Sequence, residues 1–212
     1  MAFASGLPGT AMSFPEDLDR DRLRALQAER LRSLVGDVLG GNAFWRGRLR
    51  DAGFEDLAAL SERLQDLEVL SELPVCSKAD LVSDQDAEQP YGSNLSEPLS
   101  AYTRLHQTSG TTGRPLRWLD TPAAWSNLLE AWAQIFRIAG VVSSDRFAFP
   151  FSFGPFIGFW AAFEGAAAAG HLCLPGGGMS SAARLQLIED NQATVVCCTP
   201  TYALRLAEVA SE

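Results

Sequence analysis

The stretch Arg104-Leu105-His106-Gln107-Thr108-Ser109-Gly110-Thr111-Thr112-Gly113-Arg114-Pro115-Leu116 decides how this chain is read. From Thr108 to Gly113 small residues run without a break into a cation and a stiff proline. Each feature suits the grip of a polyphosphate. Gly110 and Gly113 permit backbone conformations closed to other residues and let the chain approach a ligand closely. Successive N–H groups in such a turn converge on one concavity that binds an anion. The hydroxyls of Thr108, Ser109, Thr111 and Thr112 add neutral donors, and Arg114 can set a planar fork on phosphate oxygens. Pro115 fixes its own φ and biases Arg114 toward extended backbone, so the loop stiffens where it ends.

A solvated Ser/Thr/Gly turn between two strands is the plainer reading of such a cluster. Hydroxyls interleaved with glycines, and a cation at the exit, favour phosphate. Two common nucleotide motifs are excluded. The Walker pattern needs four residues between its glycines and then Lys-Ser/Thr, whereas two residues separate Gly110 from Gly113 and Arg-Pro follows. No Gly-x-Gly-x-x-Gly opens a helix, so the dinucleotide fingerprint is absent.

Around this loop the chain reads as α/β. Leu23, Leu26, Leu31, Leu34, Val35 and Val38 recur at helical spacing before Gly40-Gly41. A second helix carries Phe44, Trp45 and Leu49 and stops at Gly53, and short helical pieces follow through Leu57, Leu60, Leu64 and Leu67. Residues 83–100 are polar and turn-rich and read as a loop. Strands at 101–106 and 116–119 flank the phosphate loop. Thr121-Pro122 starts a helix whose face of Trp125, Leu128, Leu129, Trp132 and Phe136 is core, closed by Gly140. Strands at 146–151, 171–174 and 194–198 then alternate with helices at 156–169, 182–191 and 202–210. That alternation predicts a parallel sheet covered by helices. The expected organisation is a mobile leader over 1–20, a helical segment over 21–82, and an α/β domain from 83 to 212.

Such sheets bind ligands beyond the carboxyl ends of their strands. Phe151, Phe153 and Phe156 can wall an apolar slot there, with Gly154 leaving room for a flat substrate, and Tyr202 can reach the same cleft. The alternative is that the phenylalanines fill core space under the sheet and that Tyr202 caps the sheet edge. His106 reads as a hydrogen-bonded structural histidine and receives no proton-transfer role.

A net charge of −9 argues against nucleic acid as a partner and leaves any anion to a local cationic site. The four cysteines show no paired metal spacing, so no metal site is assigned. The first 20 residues lack the basic start and apolar core of a signal peptide, and no apolar run is long enough to span a membrane. A cytoplasmic protein without membrane partners is expected.

Thr-Ser-Gly-Thr-Thr-Gly-Arg-Pro (108–115) resembles the phosphate-loop signature of the adenylate-forming superfamily. Arg104-Leu-His106, Pro175-Gly-Gly-Gly178 and Thr199-Pro-Thr-Tyr202 are similar to its phenylacetate–CoA ligase-like branch. So are Phe44-Trp-Arg46, Asp51-Ala-Gly53, Leu73-Pro74 and Lys78-Ala-Asp-Leu81. The resemblance runs from about Leu23 to the last residues and concerns the N-terminal part of these enzymes only. It implies ATP-dependent activation of a carboxylic acid to an acyl-adenylate, followed by transfer to CoA, with Mg²⁺ on the phosphates. It also implies an acyl pocket near Phe151–Phe156 and the Thr199–Tyr202 segment, and hence an aryl or arylacetic acid. Arg114 stands where family members commonly carry Lys. The family's later motifs for adenine and ribose, and its C-terminal lysine, have no counterpart here. No catalytic residue is therefore expected in this chain, and the 212 residues alone are expected to be inactive. A homo-oligomer, or a chain supplying the missing domain, is the expected partner. Two other readings stay open: acyl transfer to a carrier protein or an amine, and a non-catalytic binding or assembly module keeping the loop as a relic.

Overall fold

A computed structural model describes residues 14–54, 63–64, 67–110 and 114–211. The expectations for Leu57 and Leu60, for Thr111, Thr112 and Gly113, and for the first 13 residues of the leader lie outside them. The chain divides into two units, 1–75 and 76–212.

In the first unit, helix α1 (Arg20–Gly41) opens on Asp19, whose side chain accepts the Arg22 N–H. One residue, Asn42, joins it to helix α2 (Ala43–Asp51). The Asn42 backbone N–H returns to the Val38 carbonyl, and its side chain accepts the Trp45 N–H, so one buried residue ends one helix and begins the next. Gly53, at φ +84°, closes α2 in a Schellman turn: its N–H reaches the Arg50 carbonyl and that of Phe54 reaches Leu49. Val35, Leu49, Phe54, Leu64 and Val69 form the core, with Leu31, Val38 and Trp45 against it. Leu34, expected on the inner face, is 59% exposed; Ala28 takes the buried stripe with Val35, one heptad on.

The second unit begins with helix α3 (Lys78–Ala87), which crosses into the stretch expected to be loop from residue 83. The reason is local. Ser77 and Asp80 make a reciprocal capping box, and that start outweighs the polar character of the later turns. Strands β1 (Arg104–Gln107) and β2 (Arg117–Asp120) pair antiparallel, Gln107 opposite Arg117, and flank the loop predicted to bind phosphate. Helix α4 (Pro122–Ile138) starts on the Thr121 cap with Pro122 in its first turn and buries Trp125 and Phe136, as its spacing predicts.

Strands β3 (Arg146–Phe149), β4 (Leu172–Pro175) and β5 (Val195–Val196) form a parallel sheet in the order β4-β3-β5, linked by helices α5 (Ile157–Ala168) and α6 (Ser181–Asp190). Helix α7 (Pro200–Ala210) follows β5. The central strand is buried on both faces, Phe147, Ala148 and Phe149 being at most 1% exposed. Gly165 lets α5 lie tight on α4, because a Cβ there would sit 2.7 Å from Trp132 Cβ.

Candidate functional site: phosphate hairpin and apolar cavity

Hydrogen bonds fix the base of the loop. The Thr108 N–H donates to the Leu116 carbonyl at 3.0 Å, and the Leu116 N–H donates to Thr108 Oγ1 at 3.1 Å. Amide and hydroxyl of Thr108 thus close the neck of the hairpin. Gly110 follows at φ +67°, in the left-handed region where a glycine turns the chain without steric cost. At the exit Arg114 donates from Nη1 to Asp86 Oδ1 of α3 at 2.5 Å. Both side chains are well exposed, 69% and 48%, so water screens this pair.

Two anchors hold the hairpin. Arg104 forks onto Glu164 of α5 at 2.9 and 2.8 Å, and Trp125 Nε1 of α4 donates to the same carboxylate at 2.8 Å. The Arg104 guanidinium also lies 4.4 Å above the Trp125 ring. Charge, fork geometry and stacking combine here. On the other side Gln85 treats β2 as a neighbouring strand would: its Nε2 donates to the Arg117 carbonyl at 2.6 Å and its Oε1 accepts the Arg117 N–H at 3.1 Å. His106 is buried, with Nδ1 3.2 Å from Asp120 Oδ2 and its ring stacked 5.1 Å from Trp125. That is the structural role expected of it.

The hairpin neck is also the rim of an apolar cavity of about 420 Å³, lined by His106, Thr108, Leu116, Trp118, Phe156 and Ile157 among others. Of the aromatics predicted to wall a slot, Phe156 lines this cavity. Phe151 and Phe153 pack against the core instead: Phe151 stacks on Phe159 at 4.2 Å, and Phe153 leans on Trp160 and Phe163. Gly154 presents its carbonyl to Trp160 Nε1 at 2.8 Å. The loop still meets the hairpin directly, because the Gln107 N–H donates to the Pro155 carbonyl at 2.8 Å. Tyr202 lies apart from the cavity lining, with its phenol bound by Arg184 at 2.6 Å and 3.0 Å from Ser181 Oγ. Burial raises the Tyr202 phenol; the bonds from Ser181 and Arg184, with the Arg184 charge, outweigh that and hold it below its ordinary value.

Sequence reading missed Asp86, Glu164 and Arg184. Only Glu164 carried a signal, as a lone carboxylate inside an alanine-rich helix.

No protein-family model matches the chain. Curated relatives do. The chain is 33% identical over 193 residues to phenylacetate-coenzyme A ligase of Thermus thermophilus, covering 91% of this chain and 41% of that protein. It is 32% identical over 192 residues to the Pseudomonas putida enzyme of the same name, covering 89% and 40%. Among solved structures, 2-hydroxyisobutyryl-CoA ligase in complex with 2-HIB-AMP and CoA, in its thioesterification state, aligns with a TM-score of 0.82 at 29% identity. That alignment covers 92% of this chain and 40% of the ligase. The open conformation of the same ligase gives 0.79 at 27%, covering 90% and 40%. The chain spans about two fifths of the length of the relatives it matches. Over that span it resembles the phenylacetate–CoA ligase-like branch of the adenylate-forming enzymes.

Proposed function

We propose that this chain carries the phosphate-gripping loop and part of the acyl pocket of an enzyme that activates a carboxylic acid with ATP and passes the acyl group to coenzyme A. The observation that carries this is the shared neck: Thr108 and Leu116 close the phosphate hairpin and also line the apolar cavity. Joining a carboxylate to the α-phosphate of ATP requires the tail of the acid and the tail of the nucleotide to lie side by side. A cavity of about 420 Å³ falls within the range of roughly 300–1,000 Å³ usual for small-molecule sites, and its apolar lining suits an aryl or arylacetic acid.

The residues present fit a nucleotide's phosphates. Gly110 turns into the left-handed conformation at the start of the loop, and Arg114 brings a cation whose ion pair with Asp86 is exposed. Ser109 to Gly113 would supply amides and hydroxyls to the β- and γ-phosphates, and Arg114 would steady the charge that grows on departing pyrophosphate. Among the described residues no three His, Cys, Asp or Glu side chains gather as metal ligands. Mg²⁺ bound to ATP is usually held through the phosphates and one or two carboxylates. The exposed edge residue of β5, Val196, supports a second copy or another chain beside the sheet, which light scattering would test.

Calorimetric titration of the 212-residue chain with ATP and Mg²⁺ tests the assignment. Binding that disappears in Gly110→Ala and weakens by about tenfold or more in Arg114→Ala is the expected result. No binding by the wild type would leave a relic loop in an assembly module and end the enzymatic reading.

A further inference from the structure

We propose that Arg184 is a positioning residue that locks the loops after β3 and β4 to the start of helix α7, at the carboxyl ends of the parallel strands, and thereby sets the acyl side of the cleft; this rests on the function proposed above. Arg184 sits in the first turn of α6, which Ser180 caps by accepting the Ala183 N–H. From there its guanidinium reaches the loops after β3 and β4 and the first turn of α7, which follows β5. Nε donates to the Gly176 carbonyl after β4 at 2.8 Å. Nη1 donates to the Tyr202 hydroxyl, after β5, at 2.6 Å. Nη2 points at Ser152 Oγ, after β3, at a long 3.5 Å. The Gly178 N–H approaches the same Ser152 oxygen at 3.4 Å, so the β3 and β4 loops also touch each other.

The sequence makes room for this hub. A Cβ on Gly176 would lie 3.0 Å from Pro150 Cα, 3.1 Å from the Phe149 carbonyl and 3.4 Å from Arg184 Cγ. Only a residue without a side chain lets the Arg184 stem lie against the strand ends. The Tyr202 ring, 5.3 Å from the guanidinium carbon, packs beside it. An ammonium is a point charge and cannot reproduce three donors fixed in one plane. The effect extends past the hub. Ser152 belongs to the loop whose Pro155 carbonyl holds Gln107 of the phosphate hairpin, and Phe156, the next residue, lines the apolar cavity.

Hydrogen exchange followed by NMR on the 212-residue chain, with tyrosine labelled at Cζ, reads out both arms of the hub. In Arg184→Met, amides of 151–154, 176–179 and 201–202 are expected to exchange at least tenfold faster while those of β3 keep their rate. The Tyr202 phenol, assigned by Tyr202→Phe among the three tyrosines, is expected to titrate higher than in the wild type. Arg184→Lys should keep part of that titration shift but lose the loop protection. Unchanged loop exchange in Arg184→Met overturns the proposal. So does acceleration in both variants that includes β3, which would make Arg184 a residue of general stability only. Phenylacetate should bind Arg184→Met at least tenfold more weakly, with ATP–Mg²⁺ binding unaltered. A wild-type chain that binds neither would defeat the functional reading while the exchange data still decide on Arg184.

Discussion

At the scale of single residues, the proposed function makes the contest over Arg114 decide how well the loop would hold phosphate. Its partner Asp86 is half exposed, and an ion pair in such a setting contributes about 0–1 kcal/mol. A phosphate tail with several negative charges displaces it easily. Asp86→Asn should therefore tighten ATP–Mg²⁺ binding by about two- to fivefold. Arg114→Ala should weaken it by about tenfold or more, as loss of a charged hydrogen bond implies; calorimetry measures both. The cation was legible in the sequence because it directly follows the glycine–hydroxyl run. Its carboxylate partner was not, because Asp86 lies 28 positions earlier and only the folded chain brings the two together. The same holds for Arg184, whose acceptors are a carbonyl and a hydroxyl on two separate loops and a phenol in the first turn of α7.

At the scale of elements, helix ends were readable and one face was not. Caps at Thr121 and at Gly53, Gly140 and Gly170 follow from local chemistry that a sequence carries openly. The start of α3 is equally local, but the polar residues from Ser83 onward hid how far the helix continues. Helix α6 ends in the same turn that closes α4 and α5, but with Gln192 at φ +50° where those two use glycine. Gln192→Gly should stabilise the protein by about 0.5–1 kcal/mol in thermal unfolding, since a side chain in the left-handed region costs about 1 kcal/mol or slightly more. Gly165→Val should do the opposite. The added carbons meet Trp132, and overpacking of that kind costs about 1–3 kcal/mol. The connection into β3 has its own pH signature. Asp145 accepts the Val142 N–H and the Thr194 hydroxyl, which hold its carboxyl below the ordinary 3.8. A carboxylate whose folded pKa is depressed adds stability that is full above the unfolded pKa and is lost as pH falls through the folded one. Asp145→Asn should therefore flatten the drop in melting temperature below about pH 4.

At the scale of the whole molecule, the alternation of strands and helices after residue 140 foretold the parallel sheet, and two strands flanking the loop were visible, though their antiparallel pairing came only with the fold. Which aromatics face the cavity was not visible. Phe151 and Phe156 look alike in sequence, and only the packing of α5 sends the first to the core and the second to the rim. Because the chain spans about two fifths of its relatives, ligand binding and turnover become separate measurements. The 212 residues should bind ATP–Mg²⁺ yet give no carboxylate-dependent exchange of pyrophosphate into ATP; exchange above the no-acid background would refute this.

Gln85 has a consequence for solubility. By satisfying the outward N–H and carbonyl of Arg117, it stands where an intruding strand from another molecule would have to zip on. Gln85→Ala would strip that guard from the hairpin, leaving a two-stranded template beside the exposed Trp118. Such a variant should seed fibrils on storage that the parent does not form, visible as a rise in thioflavin fluorescence.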